Sequence, residues 1–202
     1  MTEIAVFGGT FDPVHLGHLL MAEQAWEQFD LNKIIFMPAG IPPHKNNSIM
    51  APAAKRYQML KKAIKNNPHF TVSNYELQKE EKSYTANTLR YLQSKKIADK
   101  IYFIIGADSL LDIFSWKEPE FLLSNSYFIV AKRPGFNLKN IWENNQYKPY
   151  QDHINIINTI KIDISSSEIR ESVMKGKSIK YRTRDCVINY IKKHNLYRGD
   201  YN

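Results

Sequence analysis

Four short, almost wholly apolar segments recur along the chain: Ile4-Ala5-Val6-Phe7, Ile34-Ile35-Phe36-Met37, Ile101-Tyr102-Phe103-Ile104-Ile105 and Tyr127-Phe128-Ile129-Val130. A strand that is apolar at every position, rather than at alternate ones, is covered on both faces. Between the strands lie apolar residues at helical spacing, Leu19, Ala22, Trp26 and Phe29 in one stretch, then Ala53, Tyr57, Leu60 and Ile64 in another that begins near Pro52. Strand-like runs at 70–72 and 154–157 and helical runs at 85–96, 165–174 and 184–193 continue the alternation. The pattern predicts an α/β fold with a doubly wound, mostly parallel sheet. One domain should span 1–202, with 165–202 as a small C-terminal helical elaboration. In such sheets ligands bind beyond the carboxyl ends of the strands, where strand order reverses. Chemistry is therefore expected just after Phe7, Met37, Ile105 and Val130.

Composition closes off other classes. The 202 residues are 43% hydrophobic and 24% charged, without repeats, linkers or low-complexity tracts, as in an ordinary globular protein. No apolar run approaches the about 20 residues of a membrane-spanning helix. The first residues show no basic segment followed by an apolar stretch and a cleavage site. A lone cysteine, Cys186, cannot form an internal disulfide. A cytoplasmic protein with no membrane association is expected. The net charge of +8 points to an anionic partner, either nucleotide, nucleic acid or membrane surface. Most of the excess falls on predicted helices, such as Lys55 to Lys65, where a solvated face is the natural reading.

Glycine is scarce, eight in all, yet Gly8, Gly9 and Gly17 fall within ten residues in Gly8-Gly9-Thr10-Phe11-Asp12-Pro13-Val14-His15-Leu16-Gly17-His18. Paired glycines after a strand let the backbone approach a ligand, and a following helix N-terminus favours phosphate. His15 and His18, three apart, can both project from the first helical turn, and Gly17 removes a side chain that could block close approach. In isolation the same residues read as a glycine turn with capping histidines. Neither HExxH nor a third ligand accompanies the pair, so no protein-held metal is expected. GxGxxG and GxxxxGK[ST] are both absent. Further on, Ser165-Ser166-Ser167-Glu168-Ile169-Arg170 opens another helix; Ser165 and Glu168 can form a capping box. Amides, hydroxyls and the Arg170 guanidinium there can equally cradle a triphosphate.

HxGH after a GG[ST]FDP loop, paired with a distal ISSSxxR, resembles the nucleotidyltransferase superfamily with the HxGH signature and its Rossmann-like fold. Ile41-Pro42-Pro43-His44-Lys45, Ser83-Tyr84-Thr85, Gly106-Ala107-Asp108 and Trp116-Lys117 narrow the resemblance to the bacterial type of nicotinate-mononucleotide adenylyltransferase, in order along most of the chain. Similar proteins usually carry aspartate where this chain has Asn87, and often Ser-Ser-Thr where it has Ser165-Ser166-Ser167.

The resemblance implies an enzyme of NAD biosynthesis that moves AMP from ATP to nicotinate mononucleotide, giving deamido-NAD and pyrophosphate. His18, His15 and Lys45 would be catalytic. Gly8, Gly9, Thr10, Phe11, His15, His18, Ser166, Ser167 and Arg170 would bind ATP. His44, Lys45, Thr85, Asp108 and Trp116 would bind nicotinate mononucleotide, with Trp116 stacking on the pyridine ring. Without that context Lys45 reads as a solubilising residue, and Asp108 fits both a ribose contact and a helix N-cap. Mg²⁺ is expected on the pyrophosphate oxygens, held mainly by substrate. Arg133 follows the Val130 strand in a turn; Trp26 and Cys186 read as packing residues, Trp142 as either core or surface, and His69, His153 and His194 carry no role. Rival readings are a dual-specificity or nicotinamide-preferring adenylyltransferase, a pantetheine-phosphate adenylyltransferase or cytidylyltransferase, and a non-catalytic basic RNA-binding module. No RNP-type aromatic motif supports the last, so nucleic acid is not an expected partner. Homo-oligomerisation is left open.

Overall fold

A computed structural model describes residues 1–41, 50–132, 139–158 and 162–198. Its elements alternate as expected. β1 (Glu3–Gly9) leads to α1 (Leu16–Gln28), β2 (Lys33–Pro38), α2 (Ala53–Ile64) and β3 (Phe70–Val72). α3 (Thr85–Ser94), β4 (Lys100–Gly106), α4 (Ala107–Leu111), α5 (Pro119–Asn125) and β5 (Tyr127–Lys132) follow. The chain continues through α6 (Lys139–Glu143), β6 (Ile154–Asn158), α7 (Ser166–Met174) and α8 (Asp185–Lys193). Short helices such as α4 and α5 leave too few periodic positions to be read from sequence. No helix among the described residues is long and apolar enough to cross a membrane.

The strands form one sheet in the order β3-β2-β1-β4-β5-β6, with every neighbouring pair parallel. Successive side chains on each strand point to opposite faces, and the two faces carry separate cores. Ala5, Phe7, Ile34, Phe36, Tyr102 and Ile104 join a cluster with residues of α1, α2, α7 and α8. Ile4, Val6, Ile35, Met37, Phe103 and Ile105 join another with α3, α4 and α5. Each fully buried Ile, Leu or Phe contributes about 1.5–3 kcal/mol. Continuous apolarity in the strands is thus the consequence of helices on both sides.

Sheet order reverses between β1 and β4, and the register opens a crevice there. β1 pairs with β4 only from Glu3↔Lys100 to Val6↔Phe103. Beyond that point β1 runs on with β2 as far as Gly9↔Pro38, and β4 with β5 as far as Gly106↔Ala131. The chain segments after Gly9 and Gly106 therefore flank a gap at the carboxyl ends of the strands, the position where ligands bind in this architecture.

Candidate active site

The loop from Thr10 to Val14 turns sharply. The Asp12–Pro13 peptide is cis, and Phe11 has φ +50°, a left-handed conformation that a bulky side chain rarely adopts. The Phe11 ring holds its place by burial, with centroids 5.4 Å from Phe7, 5.8 Å from Phe36 and 5.0 Å from His18. The neighbouring glycines serve different ends. A Cβ on Gly9 would lie 3.1 Å from the Phe11 ring, and one on Gly17 would lie 3.1 Å from the His15 ring. Both glycines thus leave room for an aromatic ring of the chain itself. Gly8 differs from both: it is exposed, and a Cβ there meets nothing within 4 Å.

His15 is the N-cap of α1 and is buried, so the two histidines do not both project from the first turn. Their rings stack at 3.6 Å between centroids, and the His15 backbone N–H donates to His18 Nδ1 at 3.2 Å. Because His18 Nδ1 accepts, the neutral ring carries its proton on Nε2. The site gains an N–H donor at a helix N-terminus, an arrangement suited to an anion.

Asp12, three residues before His15, is 3% exposed and anchors the loop. Its Oδ1 accepts from the Ala51 N–H at 3.1 Å and from the Tyr197 hydroxyl at 2.6 Å. Arg170 on α7 donates from Nη1 to the Asp12 carbonyl at 2.7 Å, lies 3.6 Å from Asp12 Oδ2, and donates from Nη2 to Ser167 Oγ at 3.2 Å. Ser166 donates its hydroxyl to the Pro13 carbonyl at 2.9 Å, and Thr183 donates to that of Val14 at 2.7 Å. Two motifs about 150 residues apart are thereby drawn into one site. Ser165 and Glu168 form the expected capping box. Burial beside the Asp12 carboxylate pushes the Tyr197 phenol far above the usual tyrosine range, so it is a permanent donor.

Sequence reasoning singles out neither Tyr197 nor Arg56. On α2, Arg56 is fully buried, within the stretch expected to be a solvated face. It donates to the carbonyls of Ala51 at 3.1 Å, Thr10 at 2.8 Å and Gly40 at 3.1 Å. Burial lowers its pKa, and the nearby Asp12 carboxylate opposes that shift. The buried face of α2 runs through Arg56, Met59, Leu60, Ala63 and Ile64. Spacings of three and four residues from Ala53 and Leu60 were the available signal.

Arg56 also links the β1 loop to the loop after β2. Gly40 donates its N–H to Ser83 Oγ at 3.1 Å, and a Cβ on Gly40 would come within 2.3 Å of the Glu76 carbonyl. Ser83 precedes Tyr84, the N-cap of α3, and Lys117 Nζ sits 4.9 Å from the Tyr84 ring centroid. Arg90 pairs with Glu118 through both carboxylate oxygens. Thr85 and Trp116, both half-buried, are thus carried by segments that touch. Asn87, in the first turn of α3, contributes its carbonyl to the Tyr75 hydroxyl at 3.5 Å.

Asp108 is exposed in the first turn of α4, but the N-cap there is Gly106, which corrects the capping reading. His44, Lys45 and Arg133 lie outside the described residues. Trp26 stacks on His69 at 4.0 Å and Trp142 packs against the second core. Cys186 is half-buried and donates to the Lys62 carbonyl. His153 stacks on Tyr127, and Lys55 Nζ lies 3.1 Å from His194 Nδ1. Among the described residues no three His, Cys, Asp or Glu side chains gather as metal ligands.

Fold and site define a nucleotidyltransferase: residues 6–172 match the Cytidylyltransferase-like family, to which the chain belongs. It is 41% identical over 198 residues to the probable nicotinate-nucleotide adenylyltransferase of Desulfitobacterium hafniense (strain DSM 10664 / DCB-2), covering 97% of this chain and 96% of that one. It is 40% identical over 202 residues to the corresponding protein of Clostridium perfringens (strain SM101 / Type A), covering 99% and 100%. Plasmodium falciparum nicotinic acid mononucleotide adenylyltransferase complexed with NaAD superposes with a TM-score of 0.80 at 25% identity, over 100% of this chain and 99% of that one. The same enzyme complexed with APC gives 0.78. Within its class the chain belongs to the nicotinate-nucleotide adenylyltransferases.

Proposed function

We propose that the chain transfers AMP from ATP to nicotinate mononucleotide, forming deamido-NAD and pyrophosphate. The observation that carries this reading is the joining of His18, through its loop, to Arg170 at the switch point of the sheet, in a chain so similar to enzymes of that name. A 5′-phosphate oxygen of the acceptor attacks the α-phosphorus of ATP. A new P–O bond forms, the bond from the α-phosphorus to the bridging oxygen breaks, and its electron pair leaves with pyrophosphate. The nucleophile is already anionic, so no base is required and no covalent enzyme intermediate arises. Catalysis rests on orienting two anions and on donors aimed at the developing charge.

His18 Nε2–H serves as such a donor to the ATP phosphates, with His15 stacked behind it. Backbone groups of Gly8, Gly9, Thr10 and Phe11 line the phosphate path. Arg170 and Ser167 hold the outer phosphates; Ser166, whose hydroxyl is committed to Pro13, adds its position at the start of α7. His44 and Lys45 contact the acceptor phosphate, Asp108 a ribose hydroxyl, and Thr85 and Trp116 the nicotinate. Mg²⁺ carried on the ATP phosphates would offset the charge on the leaving pyrophosphate.

Pyrophosphate release from ATP, measured separately with nicotinate mononucleotide, nicotinamide mononucleotide and phosphopantetheine, tests the reading. Turnover is expected with the first. Turnover with phosphopantetheine alone, or with none, contradicts it.

A further inference from the structure

One buried polar group takes no direct part in this phosphate chemistry. Tyr197 lies beyond the last helix, 6% exposed, and its hydroxyl reaches 2.6 Å from Asp12 Oδ1, across 185 residues of sequence. The chain bends sharply to deliver it: Asn195 has φ +48° and Tyr197 φ +62°, both left-handed and both non-glycine. Asn195 is the left-handed residue that closes α8, where the Leu196 N–H donates to the Ile191 carbonyl; Tyr197, a bulky residue in that region, is held there by its surrounding contacts. The ring is packed in the core that also holds Phe11, Val14 and Ile169. The bond is directed at the carboxylate that faces Arg170: Oδ1 takes Tyr197 and the Ala51 N–H, while Oδ2 stands 3.6 Å from Arg170 Nη1.

We infer that Tyr197 is a positioning residue of the ATP-phosphate site, acting through Asp12 to set the orientation of Arg170. Its hydroxyl fixes the rotation of the Asp12 carboxylate, so that Oδ2 and the Asp12 carbonyl together aim the Arg170 guanidinium, whose Nη2 also meets Ser167. The C-terminal segment is then part of the triphosphate-binding apparatus without touching the nucleotide. This rests on the reading of Arg170 as a ligand of the outer phosphates.

Tyr197→Phe removes the hydroxyl and keeps the ring. Binding of a non-hydrolysable ATP analogue is measured by titration calorimetry for wild type, Tyr197→Phe, Arg170→Ala and the double variant, with thermal midpoints taken alongside. Tyr197→Phe is expected to weaken analogue binding about tenfold, the effect of losing one hydrogen bond to a charged group. In the Arg170→Ala background the same substitution is expected to change binding less than about twofold, because the group it positions has gone. Asp12→Asn, which keeps the side-chain shape, should show the same dependence on Arg170. Where acceptor turnover is followed as well, KM for ATP should rise while KM for the acceptor stays put. Unchanged analogue binding in Tyr197→Phe, or an equal loss with and without Arg170, overturns the inference. The binding assay contains no acceptor, so failure of the acceptor assignment would leave the binding result unaffected.

Discussion

The backbone N–H of His15 donates to Nδ1 of His18 while the two rings stack 3.6 Å apart. One contact closes the N-terminus of α1 and decides which nitrogen of His18 carries the proton. The two tasks can be separated by substitution. Asparagine at 18 can place its Oδ1 near the position of Nδ1 but reaches no further. His18→Asn is therefore expected to fold with near wild-type stability and to lose turnover by about 10²–10³-fold, the scale for removing one donor to developing charge. His18→Ala should lose activity comparably and also lose the capping contact, about 1 kcal/mol. Denaturation midpoints and steady-state rates on the two variants check this. A near-normal rate in either refutes the role of Nε2.

Gly17 separates stability from activity in a second way. Replacing glycine by alanine within a helix gains up to about 1 kcal/mol of propensity. Here the new Cβ would stand 3.1 Å from His15 Nδ1 and 3.2 Å from Cε1, so the ring must yield by a few tenths of an ångström. The expected outcome for Gly17→Ala is a midpoint close to wild type with kcat/KM reduced between about tenfold and a hundredfold. Unaltered kinetics would show that the ring stack has no bearing on turnover.

Arg56 ties three carbonyls from three segments, so its loss should appear in stability first. Arg56→Met leaves the acceptors at Thr10, Gly40 and Ala51 without their donor. With about 1–3 kcal/mol for each buried group left unsatisfied, a loss of about 3 kcal/mol and roughly 10 °C in Tm is expected. Arg56→Lys, a point charge that cannot match the planar fork, should recover little. A change of Tm below a few degrees in both would contradict the bridging role.

Glu76 supplies a pH signature. Burial holds its carboxyl above the ordinary carboxylate range, against hydrogen bonds from Thr88 and Ser83 and the charge of Lys79. In the window between its unfolded and raised folded pKa the folded state binds more protons, so stability falls as pH rises through the folded value. Glu76→Gln keeps an acceptor for the Thr88 hydroxyl, 2.7 Å away, and does not titrate. Its Tm relative to wild type should climb as pH is raised from about 4 through neutrality. A constant difference across that range would disprove the burial effect.

The sheet was readable because strands covered on both faces are apolar at every position, and a run such as Ile101 to Ile105 leaves little else to choose. Longer helices show their faces in sequence, although the apolar spacing puts Tyr57 on the core face of α2 where Arg56 lies, because a cation there reads as solvent-facing. The first loop was recognisable from Gly8, Gly9, His15 and His18 in sequence; what the glycines make room for was not. Gly9 and Gly17 admit Phe11 and His15, contacts fixed by tertiary packing. The pairing of Asp12 with Tyr197 carried no local signal either, since the bond between them spans almost the whole chain.

The most direct test places ATP with equal concentrations of nicotinate and nicotinamide mononucleotide in one reaction and separates the dinucleotide products. Deamido-NAD is expected to dominate, with pyrophosphate formed in equal amount. NAD as the main product, or no dinucleotide from either acceptor, would contradict the assignment.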